Sequence, residues 1–185
     1  MNLFIYIAYA LWDILLAYWF VGYIGNKATA KREWDVVQIL SIVCMIVGFS
    51  FLFTPILLPK QILPHNVTAG IIGDLMCAAG VVCAIWARRT LGSNWSGTIT
   101  VKERHELVTS GPYRYVRHPI YTGFLLGSLG LAIVFGHLGA FIGVAAVFIG
   151  FWLRIPREEQ LMTQLFPDVY PVYKKQTRAL IPFLF

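Results

Sequence analysis

Two short polar stretches, residues 88–119 and 153–185, hold most of the side chains able to do chemistry. In the first, HELVTSGPYRYVRHPIY carries His105, Glu106, Tyr113, Arg114, Arg117, His118 and Tyr121 within seventeen residues. Pro119 has no N–H to donate and suits the first turn of a helix. That puts His118 at the N-cap edge and Tyr121 in the first turn. A helix N-terminus offers free N–H groups and the positive end of the macrodipole, which suit a carboxylate or another anion. In the second stretch, Arg154 and Glu158 are four residues apart and share one face of a helix. Such a pair could hold a polar ligand at one end and an anionic group at the other. Pro156, between them, removes the bond to the Trp152 carbonyl and is expected to kink the helix. Plainer roles compete with these. Basic residues and tyrosines also form interfacial anchors, and an exposed i,i+4 ion pair contributes only about 0.3–0.5 kcal/mol.

Other chemistries find little support. His105 and His118 lack cysteine partners or a paired helical context, so no metal site is expected. Cys44, Cys77 and Cys83 all lie in apolar runs without CxxC spacing, as small packing residues do. There is no GxSxG, no HExxH, no P-loop and no strand–GxGxxG–helix unit.

The elements that must position these residues are apolar. Of 185 residues, 58% are hydrophobic and 13% charged, and mean hydropathy is +0.68. Soluble domains carry roughly 25% charged residues, so half that charge marks a membrane protein. Four runs reach the roughly 20 residues a spanning helix needs: Leu3–Gly25, Val36–Leu58, Thr68–Ala87 and Ile120–Trp152. The last has 33 residues without Lys, Arg, Asp or Glu. As one helix it would reach roughly 50 Å, well beyond a hydrocarbon core of about 30 Å. Gly136-His137-Leu138-Gly139 at its middle makes it a tight helical hairpin, with the glycines allowing close packing. The expected fold is therefore an all-α integral membrane protein of five transmembrane helices, with loop and C-terminal helices on one face. With the hairpin, alternate inter-span segments carry fourteen Lys and Arg against one. The positive-inside rule then places the N-terminus out, the C-terminus and both polar stretches in the cytoplasm. The N-terminal run has no basic n-region and is expected to remain as the first span. A net charge of +6 is explained by this topology and by anionic lipid headgroups, not by nucleic acid.

Within this plan residues 1–87 supply three spans and residues 88–185 the catalytic region. Thr98–Val101 is β-prone, Ser110–Tyr113 reads as a turn, and LMTQLF and VYPVYKK read as an amphipathic lid. Asp13 and Asp74, inside spans, are expected to hydrogen-bond to tyrosine or backbone, or to lie near a polar cavity.

HELVTSGPYRYVRHPIYTG, a helical hairpin and REEQLMTQLFPDVYPVYKK together resemble the isoprenylcysteine carboxyl methyltransferase family, which is akin to membrane phospholipid methyltransferases. The likeness covers roughly Leu91–Phe185. It implies S-adenosylmethionine as methyl donor, bound without a Rossmann domain. Position by position it assigns His105, Glu106, Leu107 and Val108 to a first donor-contacting stretch, and Tyr113 to the next contact. His118, Pro119, Ile120 and Tyr121 match the RHPxY segment, and Glu158 the carboxylate closing the pocket. Arg154 matches the arginine on the acceptor side. A lipophilic acceptor, most simply an isoprenylcysteine-like carboxylate, is implied. A carboxylate nucleophile needs no general base, so alignment, worth roughly 7–11 kcal/mol, would dominate. Phospholipid-type N-methylation, an NADPH-dependent sterol-reductase-like enzyme and a non-enzymatic membrane adaptor are the competing expectations.

Overall fold

The computed structural model describes residues 2–23, 29–32, 35–54, 57–95, 100–102 and 106–182. The apolar runs form α1 (Asn2–Tyr23), α2 (Val36–Phe53), α3 (Val67–Leu91), α4 (Pro119–Phe135) and α5 (Leu138–Leu165), followed by a short α6 (Tyr170–Gln176). A helix satisfies its backbone groups internally, which hydrocarbon demands. Polar side chains start three of them: Asp35 accepts from Gln38 N at 2.7 Å, Asn66 from Ala69 N at 2.9 Å, and His137 Nδ1 from Ala140 N at 3.2 Å. Four helices, α1, α2, α3 and α5, are long and apolar enough to cross a membrane, and α4 is a shorter apolar helix. Leu16, Phe20, Ile39, Ile46, Leu75 and Val82 stand exposed on them. This is a multi-pass integral membrane protein.

The fold is all-α in its architecture, with one small addition. A two-stranded antiparallel ribbon joins β1 (Thr29–Arg32) to β2 (Thr100–Lys102), pairing Thr29 with Lys102 and Arg32 with Thr100. The β-prone run signals one strand, whereas nothing in TAKR signals its partner. α5 carries Pro156 inside it and continues to Leu165.

Packing without a hydrophobic drive between helices relies on close backbone approach. At Gly80 of α3, a Cβ would lie 2.4 Å from Gly127 N and 2.6 Å from Gly123 O of α4. Gly48 and Gly143 bring α2 and α5 together in the same way. The core between the pairs holds Trp12, Leu15, Leu52, Leu131, Val147 and Phe151. Asp13 is exposed on α1, and both carboxylate oxygens of Asp74 are buried with no hydrogen-bond partner among the described residues. The contacts with tyrosine or backbone expected for Asp74 are therefore not what the fold supplies.

The hairpin turns at Gly136, left-handed at φ 70°, where a side chain would be strained. Its carbonyl accepts from Ile62 N and Leu63 N at 2.8 and 3.0 Å, so the α2–α3 connection clasps the turn. At the other end of the molecule the segment after α6 lies beside the start of α4. Arg117 N donates to Arg178 O at 2.8 Å, and His118 N to Ala179 O at 3.0 Å.

Candidate active site

A cavity of about 440 Å³ opens between the charged ends of the helices. Its lining includes Glu106, Leu107, Val108, Tyr113, His118, Ile120, Tyr121, Arg154 and Glu158. These residues come from the loop before α4, the first turn of α4 and the last turns of α5, so their convergence is tertiary. Pro119 is fully buried beneath that rim and serves as the first residue of α4. His105 lies outside the described residues.

Glu158 is the hub. Its Oε1 accepts from Arg154 Nε and from Tyr121 OH, both at 2.6 Å, and its Oε2 lies 3.5 Å from His118 Nδ1. The Arg154 and Glu158 side chains are 6% and 21% exposed, so the surface ion pair weighed above is instead a nearly buried one. Short bonds between charged partners of this kind are the strong ones. Arg154 and Glu158 are thus joined directly at the charged end of the cavity. Tyr121 is held from both faces: its ring stacks on Phe151 at 4.1 Å and on His118 at 5.3 Å. The ladder His118–Tyr121–Phe151 runs from the charged end of the cavity towards its apolar side.

That side is aromatic. Trp19 of α1 meets Phe124 edge-on at 5.2 Å and Trp95 at 5.9 Å, and Phe49 and Met45 of α2 complete the wall. Trp95 sits under the Arg88 guanidinium, 4.5 Å from its ring centroid, while Arg88 donates to Gly22 O at 2.7 Å and Gly92 O at 2.6 Å. One buried arginine therefore ties the ends of α1 and α3 to a cavity wall.

Behind the rim lies a second acid. Glu159 Oε1 takes Arg117 Nε at 2.6 Å and stands 3.4 Å from His118 Nε2, and its Oε2 takes Lys174 Nζ at 2.6 Å. Arg117 also donates to the Thr177 carbonyl. Burial alone pushes the His118 imidazole down, but hydrogen bonds and charge from Glu158 and Glu159 outweigh it and raise its pKa. Burial pushes the phenol of Tyr173 up to about 12 and that of Tyr113 higher than the ordinary tyrosine range. Tyr173 OH, kept protonated, donates to Tyr113 O at 2.7 Å and closes α6 over the cavity.

Glu159, Trp95 and the wall from α1 and α2 are absent from the sequence expectations. The doubled acid Glu158-Glu159 at the end of an apolar helix is the one available signal for Glu159. Nothing in the α1 and α2 runs marks Trp19, Met45 or Phe49, because any of their apolar residues could face lipid.

The family model of isoprenylcysteine carboxyl methyltransferases matches residues 73–164, from mid α3 to the end of α5, and so includes Arg154 and Glu158. The chain belongs to that family. Related proteins include protein-S-isoprenylcysteine O-methyltransferase B of Arabidopsis thaliana, 31% identical over 122 residues, 64% of this chain and 58% of that protein. Protein-S-isoprenylcysteine O-methyltransferase of Dictyostelium discoideum is 32% identical over 114 residues, covering 60% of this chain and 48% of that protein. The chain thus spans about half the length of these family members. In fold it resembles the solved structure of a eukaryotic intramembrane Ras methyltransferase of the same family, with a TM-score of 0.53 and 23% identity. The match covers 83% of this chain and 55% of that one.

Proposed function

We propose that this protein is a methyltransferase that uses S-adenosylmethionine to methylate a lipophilic acceptor at the membrane, by O-methylation of an isoprenylcysteine-like carboxylate. The observation that carries this reading is one cavity whose charged end, Arg154–Glu158–Tyr121, meets an aromatic wall set among the spans.

The residues present fit the donor. It is a zwitterion with a polar ribose, and the charged end combines a carboxylate, a phenol and an imidazole with apolar Leu107, Val108 and Ile120. When bound, S-adenosylmethionine supplies an activated methyl group. Glu106, Leu107, Val108, Tyr113, His118, Ile120, Tyr121 and Glu158 would hold it, with Pro119 setting the start of α4 and His105 completing the stretch. Glu158 would attract the donor's hydroxyl or ammonium groups. Arg154, bound to Glu158 through Nε, would present its positive charge to the acceptor carboxylate, orienting it without needing a base. Trp19, Phe49, Phe124 and Phe151 would receive the acceptor's apolar part and keep water from the reacting groups. Alignment of this kind is worth up to roughly 7–11 kcal/mol.

In the membrane we infer five crossings, with α4 and α5 as the hairpin. The N-terminus would be outside, and the cavity and C-terminus at the cytoplasmic face, as the distribution of basic residues favours. Residues 1–87 would act as the supporting unit and residues 88–185 as the catalytic one, with α1 and α2 lending the aromatic wall. The test is transfer of a labelled methyl group from S-adenosylmethionine to a panel of prenylcysteine analogues and phospholipids, with product identification. A base-labile methyl ester on the prenylcysteine supports the reading. N-methylated lipid, or saturable NADPH binding without donor binding, would overturn it.

A further inference from the structure

Glu159 is buried, with a side chain 6% exposed, and it does not line the cavity. Yet three cations or potential cations converge on it: Arg117 Nε and Lys174 Nζ at 2.6 Å, and His118 Nε2 at 3.4 Å. An acid taken out of water needs such partners. The third partner, His118, lines the cavity and has its other ring nitrogen 3.5 Å from Glu158. Only the imidazolium carries a proton on both nitrogens, so this ring between two carboxylates is built for the charged form.

Lys174 belongs to α6, whose Tyr170 and Tyr173 form part of the cavity wall. The remaining fasteners of that segment also lead to the same place. Arg117 holds the carbonyls of Lys174 and Thr177, and Thr122 Oγ1 donates to Leu180 O at 2.6 Å. Glu159 therefore touches both the ring facing Glu158 and the helix closing the cavity.

We propose that Glu159 is a positioning residue of the donor site: it fixes the His118 ring against Glu158 and, through Lys174, holds α6 across the cavity. The donor assignment itself rests on the methyltransferase reading above. The groups facing His118 are Glu158 and Glu159 from α5, Tyr121 stacked on it from α4, and neighbouring Arg117, with Lys174 of α6 one contact further through Glu159. The two acids raise its pKa, against its burial. A raised histidine pKa stabilises the folded, charged arrangement at low pH, and that contribution is lost as pH rises through the folded value. Donor affinity therefore declines on the alkaline limb as His118 loses its proton.

Removing the two ends of this chain of contacts has opposite electrostatic signs. Glu159→Gln deletes a negative charge beside His118 and lowers its titration midpoint by about one pH unit. Lys174→Met deletes a positive charge and leaves the midpoint unchanged or slightly higher, while loosening α6. Both weaken donor binding, Glu159→Gln by about 10- to 100-fold, by analogy with the loss of a group that orients a metal-binding histidine. Glu159→Asp restores most of the midpoint.

The experiment is nuclear magnetic resonance titration of histidine-labelled full-length protein in lipid nanodiscs. His118 is assigned among the four histidines by His118→Gln. Calorimetric binding of S-adenosylmethionine across the same pH range runs in parallel, with a thermal melt to show that each variant is folded. Equal His118 midpoints in wild type and in folded Glu159→Gln would overturn the proposal. So would a lowered midpoint with undiminished donor affinity, or a midpoint lowered equally by Lys174→Met. Wild-type protein that binds no donor refutes the methyltransferase reading instead, and the titration, which needs no donor, still decides whether Glu159 governs His118.

Discussion

Arg154→Met tests whether Arg154 and Glu158 act as one unit. Arg154 Nε donates to Glu158 Oε1 at 2.6 Å, and the arginine side chain is only 6% exposed. A hydrogen bond to a charged group contributes about 1.5–3 kcal/mol, whereas removing one partner of a fully buried pair costs about 3–5 kcal/mol. The lower range applies here, because Glu158 keeps Tyr121 OH at 2.6 Å and is 21% exposed to the cavity. In Arg154→Met the carboxylate is free to swing towards His118 and must be brought back when donor binds. At about 1.4 kcal/mol per tenfold, S-adenosylmethionine affinity falls by roughly 10- to 150-fold, and turnover falls further because the acceptor carboxylate loses its counter-charge. The assay is a double-mutant cycle of donor binding by calorimetry with Arg154→Met, Glu158→Gln and the double variant. The double variant should bind no more weakly than Glu158→Gln by more than a small factor. Additive losses, within about 0.5 kcal/mol, or wild-type donor affinity in Arg154→Met, would show that Arg154 serves the acceptor alone.

Two other perturbations follow from the packing. Gly80→Val would drive a side chain into the α4 backbone, where the nearest atoms to a Cβ already lie at 2.4 and 2.6 Å. The helices must part, costing about 1–3 kcal/mol, which a lowered melting temperature and weaker donor binding should report together; an unchanged melt would refute the close packing. At the hairpin, burial and the charge of His65 lower the pKa of His137, whose Nδ1 caps α5. A lowered histidine pKa contributes stability above its unfolded value, near 6.5, that is lost as pH falls. Melting temperature should therefore drop on acidification towards about pH 5, and less so in His137→Asn, which keeps a capping oxygen without titrating.

Much of the fold is legible in the chain because lipid constrains it so strongly. Runs of about 20 apolar residues must be helices, the glycines at 136 and 139 mark the hairpin, and the uneven distribution of Lys and Arg suggests which ends share a side. The motifs before α4 and at the end of α5 point to the residues that line one cavity, since local rules place Pro119 in a first turn and Arg154 and Glu158 on one face. The β1 strand is illegible, because TAKR becomes a strand only by meeting Thr100–Lys102 across the gap between two spans. The same holds for the aromatic wall: apolar side chains facing lipid and facing a cavity look alike in sequence, and only the seating of α1 and α2 against α4 and α5 separates Trp19 and Phe49 from their exposed neighbours. Residue types and spacing determined which groups could bind a donor. The tertiary structure decided how they are coupled, because the charge on one carboxylate depends on which cations the neighbouring helices bring within 3 or 4 Å of it. By that rule His118 stands between Glu158 and Glu159, and Glu159 is tied to Lys174 of α6.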